Sequence, residues 1–109
     1  MDVYDEGILE KIVWVPYESG GRQTTPSKGM YHSVAKFPQD TDWPNNAWSV
    51  VFNIKNHISA EDLRKSFGTV RFLVENAPHD RFCINEQFEI YEGPKKIANI
   101  FIQRSVEVP

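Results

Sequence analysis

Two stretches of this chain alternate apolar and polar residues with period two, and that pattern constrains the fold more than any other feature. Trp48, Val50, Phe52 and Ile54 alternate with Ser49, Val51, Asn53 and Lys55; Val70, Phe72 and Val74 alternate with Thr69, Arg71, Leu73 and Glu75. Successive side chains of a strand point to opposite faces, so each stretch reads as a half-buried strand. Ile8 to Val15 is a more continuous apolar run, interrupted by Glu10 and Lys11 and closed by Pro16. Phe88 and Ile90 belong to a short strand that stops at Glu92-Gly93-Pro94, a strong turn signal. Ile97 to Gln103 then runs as another strand, with Ala98, Ile100 and Ile102 on one face. The last two strands predict a hairpin.

One segment carries helix signals. Ser59 is a good N-cap, Glu61 and Asp62 place acids in the first turn, Arg64 and Lys65 place bases in the last, and Gly68 supplies a stop. At about two turns, Ser59 to Phe67 predicts a short connector between strands and no helical layer. Ser19-Gly20-Gly21 opens a polar loop running to about Lys28, and Pro38 to Asn46 is a second loop, rich in Pro, Asp and Asn. Several short strands with almost no helix predict a barrel or a sandwich, and the clean alternation fits a barrel filled by its own side chains.

The chain has 109 residues, which predicts one domain spanning 1–109. Lys plus Arg number 12 against 15 for Asp plus Glu, a net charge of -3 that argues against nucleic-acid binding by bulk charge. The single cysteine, Cys83, excludes an internal disulfide framework. No apolar run approaches the roughly 18 residues of a membrane-spanning helix. The acidic start Met1-Asp2-Val3-Tyr4-Asp5-Glu6 lacks the pattern of a signal peptide, so a cytoplasmic protein is expected.

Chemistry-bearing residues are sparse. Cys83 and His79 stand four apart, but they lie across a loop and His32 and His57 have no ligand spacing to them, so neither a metal site nor a cysteine nucleophile is predicted. Asp40/Asp42 and Glu61/Asp62 read as solvated loop and helix-start charges. Gly20-Gly21-Arg22 is too short for a phosphate loop, and neither GxxxxGK[ST] nor GxGxxG occurs, which excludes a GTPase or a dinucleotide enzyme. The expectation is no catalytic residue, no metal and no cofactor. Among the aromatic residues, Trp48, Phe52 and Phe72 are assigned to the core, as is Trp14 by its apolar run. Tyr31 and Trp43 are candidate surface anchors for a partner.

Val15-Pro16-Tyr17-Glu18-Ser19-Gly20-Gly21-Arg22-Gln23-Thr24-Thr25-Pro26 resembles the opening of the third, C-terminal barrel domain of elongation factor Tu, where an apolar strand leads into Gly-Gly-Arg and then Thr-Pro. Gly29-Met30-Tyr31-His32 to Phe37 loosely matches the aromatic strand that follows in that family. Phe88-Glu89-Ile90-Tyr91-Glu92-Gly93-Pro94-Lys95-Lys96-Ile97-Ala98 looks like its closing hairpin. The resemblance implies a six-stranded antiparallel closed barrel standing without a GTPase domain. It also implies a non-catalytic binding role, because in the family this barrel contacts the T-arm of aminoacyl-tRNA and other proteins.

Both sources of inference converge on one loop. The Gly20-Gly21 pair projects Arg22, and the resemblance sets that loop beside Glu92-Gly93, followed by Lys95 and Lys96. Gly20, Gly21, Arg22, Glu92, Gly93, Lys95 and Lys96 are therefore the candidate binding residues, with two roles for Arg22: partner binding, or an ion pair with Glu92 that holds the loop. The expected function is a non-enzymatic binding module for a protein or, more weakly, RNA, with neither DNA nor membrane as a target. The alternative is a small inhibitory protein of the toxin-neutralising kind that occludes a basic partner.

Overall fold

The computed structural model describes residues 7–60 and 63–103, and its six strands close on themselves in an antiparallel barrel. The strands are β1 (Ile8–Trp14), β2 (Gly29–Lys36), β3 (Trp48–Ala60), β4 (Leu63–Phe72), β5 (Gln87–Glu92) and β6 (Lys95–Ile102), hydrogen-bonded around the wall in the order β1-β4-β3-β2-β5-β6. A four-residue helix, α1 (Arg81–Ile84), precedes β5, and Tyr17–Ser19 form one 3-10 turn after β1.

The period-two pattern becomes an inside and an outside. Ile12 faces Ser66 and Ile100, Phe52 faces Val70 and Tyr31, and Ala35 faces Ile90, so one face of every strand meets at the barrel axis. Ile12, Phe52, Val70, Ala35, Ile90 and Ile100 are all fully buried there. Two bulges shift the alternation. Ile90 pairs with Ala98 and Tyr91 with Lys96, so Ile97 is an extra residue on β6, and both Ile97 and Ala98 are buried. Ile54 pairs with Gly68 and Asn56 with Phe67, leaving Lys55 as the extra residue on β3. The bulge turns His57 to the interior beside Ser66. Gly68 lies against it: a Cβ there would sit 2.0 Å from the Asn53 carbonyl oxygen, so the close strand approach admits only glycine.

That glycine corrects the helix reading. Ser59 to Phe67 is not a helical connector. Its described residues form the end of β3 and the start of β4, while Glu61 and Asp62 lie outside the described residues. A two-turn helix has weak intrinsic stability, whereas the strand conformation gives β4 a ladder with both β1 and β3. Gly68 is thus a mid-strand glycine rather than a helix stop. The helical connector is α1, directly after the loop that holds His79. A second correction concerns β4, which ends at Phe72, so that Val74 is exposed rather than alternating into the core. The acidic start, residues 1–6, also lies outside the described residues.

The alternating strand directions sort the connections into two ends. The 37–47 and 73–86 connections lie at one end; the loop from 15 to 28 and the β3–β4 and β5–β6 hairpins lie at the other. Phe37, Phe72, Phe82 and Phe88 fill the first end, with Phe72 stacked on Phe82 at 4.4 Å and Phe37 tilted on Phe88 at 4.6 Å between ring centroids. The sequence-predicted core residues Trp14, Phe52 and Phe72 are buried, and Trp48 packs against the core from its edge.

Candidate functional site

The second end is polar and closed by the 15–28 loop. Gly20 adopts the left-handed region at φ 98°, and a Cβ on Gly21 would lie 1.9 Å from the Val15 carbonyl oxygen, so the chain can double back only through this glycine pair. The turn delivers Arg22 to Glu92. The Arg22 guanidinium donates to Glu92 Oε2, Nε donates to the Thr24 carbonyl at 2.9 Å, and the guanidinium carbon sits 5.6 Å from the Tyr31 ring centroid. The Tyr31 hydroxyl donates to the same Glu92 oxygen. Burial, and then the hydrogen bond to the Glu92 carboxylate, raises the Tyr31 phenol well above its ordinary range. Tyr31 meets Trp14 edge-on at 5.6 Å, Trp14 Nε1 donates to Ser66 Oγ at 2.8 Å, and Ser66 Oγ lies 3.0 Å from His57 Nδ1. Arg64 ties the loop down by donating to the Val15 carbonyl at 2.8 Å and the Gln23 carbonyl at 3.2 Å.

Of the sequence-predicted binding residues, Gly20, Gly21, Arg22, Glu92 and Gly93 are brought together, and the Arg22–Glu92 ion pair is formed. Gly93 turns the β5–β6 hairpin at φ 60°, and Lys95 is exposed opposite Glu92. Lys96 turns instead to Glu89, 3.2 Å away, which also accepts from the Tyr91 hydroxyl at 2.9 Å. Desolvation pushes the Glu89 carboxyl up, but hydrogen bonds from Tyr91 and Lys96 and the charges of Lys96 and Lys36 outweigh it, and the group is held below the usual range. Trp43, one of the two aromatic residues left as a surface candidate, folds back over this outer wall. Its ring lies 4.4 Å from that of Tyr91, its Nε1 donates to the Ala35 carbonyl, and the Lys36 ammonium sits 5.4 Å from its centroid. Tyr31, the other, is half-buried in the polar end.

Two features escaped the sequence reading. The first is Glu10, 1 % exposed and directed into the barrel between Gly68 and Ile102. Its carboxyl oxygens have no hydrogen-bond partner among the described residues, and desolvation pushes it up to about 8. The even spacing Ile8, Glu10, Ile12, Trp14 was the signal that could have found it.

The second is the outer wall of β1, β4, β3 and β2. Glu10 is the only carboxylate of these four strands, and it faces inward. Outward, Phe101, Lys11, Phe67 and Asn56 stand in one cross-strand row, and Val13, Lys65 and Ile58 in the next. Lys11 reaches over the Phe101 ring at 5.1 Å, and Arg71 and Lys36 extend the positive charge. The described carboxylates lie elsewhere: Asp40, Asp42, Glu75, Asp80 and Glu86 in the connections of the first end, Glu18 in the 15–28 loop, and Glu89 and Glu92 on β5. An acidic protein therefore carries a basic, partly apolar wall.

Compared with known proteins, the chain matches no family model, no curated protein and no solved structure. Among the described residues no helix is long and apolar enough to cross a membrane.

Proposed function

We propose that this barrel is a non-enzymatic binding module that takes a protein partner on the wall formed by β1, β4 and β3. The segregation of charge carries the reading: Lys11, Lys65 and Arg71 point outward among Leu9, Val13 and Phe67, with no outward-facing carboxylate on those strands to neutralise them. Mixed basic and apolar surface is what an acidic partner with an apolar core would complement. The resemblance to the third barrel of elongation factor Tu, a non-catalytic binding domain, supports the same class of function. In this reading Arg22 holds the 15–28 loop through Glu92 and leaves partner contact to the wall.

The test is affinity capture from lysate, with and without RNase, using the parent and the triple variant Lys11→Glu/Lys65→Glu/Arg71→Glu. The variant should keep the parent's circular dichroism and lose at least about tenfold in capture, since rim charges govern encounter and sign matching. Capture abolished by RNase replaces the protein partner with RNA. Capture that survives the triple variant removes the wall from the reading, and loss on reversing Asp42, Glu75 and Glu86 instead assigns a basic partner, as the inhibitory alternative requires.

A further inference from the structure

We infer that the edge of β3 from Asn56 to Ala60 accepts an extended, acidic segment of a partner protein as an added strand. This rests on the binding-module reading and gives it a mode of recognition. β3 is 13 residues long, and only its first part, Trp48 to Ile54, lies between β2 and β4. From Asn56 to Ala60 its ladder is with β4 alone, because β2 begins at Gly29 opposite Ile54. The other edge carries backbone N–H and C=O groups with no ladder partner among the described residues, alternating donor and acceptor along the strand. That alternation matches a polypeptide backbone and not a phosphate chain. Along this stretch Asn56, Ile58 and Ser59 are exposed, with Ile58 54 % exposed on the outer face.

Charge selects among occupants. Lys28 precedes β2, Lys55 forms the bulge at the foot of the edge, and Lys65 stands in register with Ile58. A second copy paired edge to edge would bring these lysines against their counterparts, the arrangement by which natural edges resist self-association. A strand carrying carboxylates at the end that lies beside Lys28 and Lys55 meets them favourably, and acids at both ends of a probe serve either strand direction. In the added strand, every second side chain lies beside Ile58 on the outer face, which suits a β-branched residue, and the edge holds about five residues.

The experiment uses the 15N-labelled protein and a synthetic peptide, EEVTVTVEE, with KKVTVTVKK and EEVTPTVEE as controls. At saturating EEVTVTVEE, amide exchange at described positions between 56 and 60 should slow by about tenfold or more where those amides face the added strand. The proline peptide should fail, because it lacks a ladder donor, and Lys28→Glu/Lys55→Glu should weaken binding at least about fivefold. Four results would overturn the inference. Shifts at Lys11 and Phe67 without edge protection would leave the basic wall standing and remove the added strand. Equal protection by the lysine peptide would remove the acidic partner. Edge protection that rises with protein concentration and without peptide would assign the edge to a second copy. No response to any peptide would end the proposal, while the lysate capture above judges the wall separately.

Discussion

At the end of the barrel beside α1, rings of Phe37, Phe72, Phe82 and Phe88 close the interior, whereas at the opposite end Trp14, Tyr31, Ser66, His57, Arg22 and Glu92 close it by hydrogen bonds and an ion pair. Both ends are packed, yet they are held by different physics. Apolar contact is non-directional and scales with area removed from water. The polar end depends on partners being in place, and each buried donor deprived of its acceptor carries a desolvation cost. The difference teaches where substitutions will be felt: at the first end through lost volume, at the second through lost pairing.

The largest expected effect breaks the aromatic end. Phe72→Ala removes a buried ring stacked on Phe82 and should cost about 3–5 kcal/mol in urea unfolding. A parent-like midpoint would show that Phe72 is not part of the plug. Between the ends, Glu10 gives the comparison a pH axis. Its folded value of about 8 stands above the ordinary carboxyl value of 4.5, so between those pH values the folded state holds a proton that the unfolded state has released. Stability should therefore fall as pH rises through that window, by up to about 1.4 kcal/mol per pH unit, and level off above it. Glu10→Met should remove this part of the slope and be more stable than the parent at the alkaline limit. Matching slopes in the two proteins would exclude a buried neutral carboxyl.

Smaller effects belong to the polar end. Ser66→Ala strands the Trp14 indole N–H and should cost about 1–3 kcal/mol, and indole fluorescence of Trp14 should shift with it. Arg22→Ala breaks a pair whose side chains are 31 % and 36 % exposed, so the loss should be no more than about 1 kcal/mol. A drop in partner capture with an unchanged melting temperature would restore Arg22 as a binding residue.

The same contrast explains what the sequence made legible. At the aromatic end the burial of Phe72 and Phe88 follows from period-two alternation, and these two with Ile90 and Ile100 could be placed by counting, whereas Phe37 follows β2 and Phe82 sits on α1 without that signal. The polar loop was legible where glycine forced it: Gly20-Gly21 marks the turn, while its place beside Glu92 was expected only from the resemblance and has no local signal. Pairings such as Trp14 with Ser66, 52 residues apart, have no local signal. The β4 segment failed for the opposite reason. Ser59 to Phe67 has sound local helix chemistry, and only the need of β1 and β3 for a common neighbour overrides it. The basic wall was hidden by an overall negative charge, because composition cannot register which face a lysine occupies.

The position of β1 between β4 and β6 has a consequence for the birth of the molecule. β1 emerges first from the ribosome among the six strands, yet one of its two neighbours is the last to be made. At about 5–20 residues per second, synthesis leaves the nascent sheet open for several seconds. During that interval β1 and β4 can already pair, while the seam that β6 will occupy exposes strand edges to other chains. Slowing translation just before β6 should therefore raise the fraction lost to aggregation, and a chaperone that covers β1 until β6 arrives should recover it.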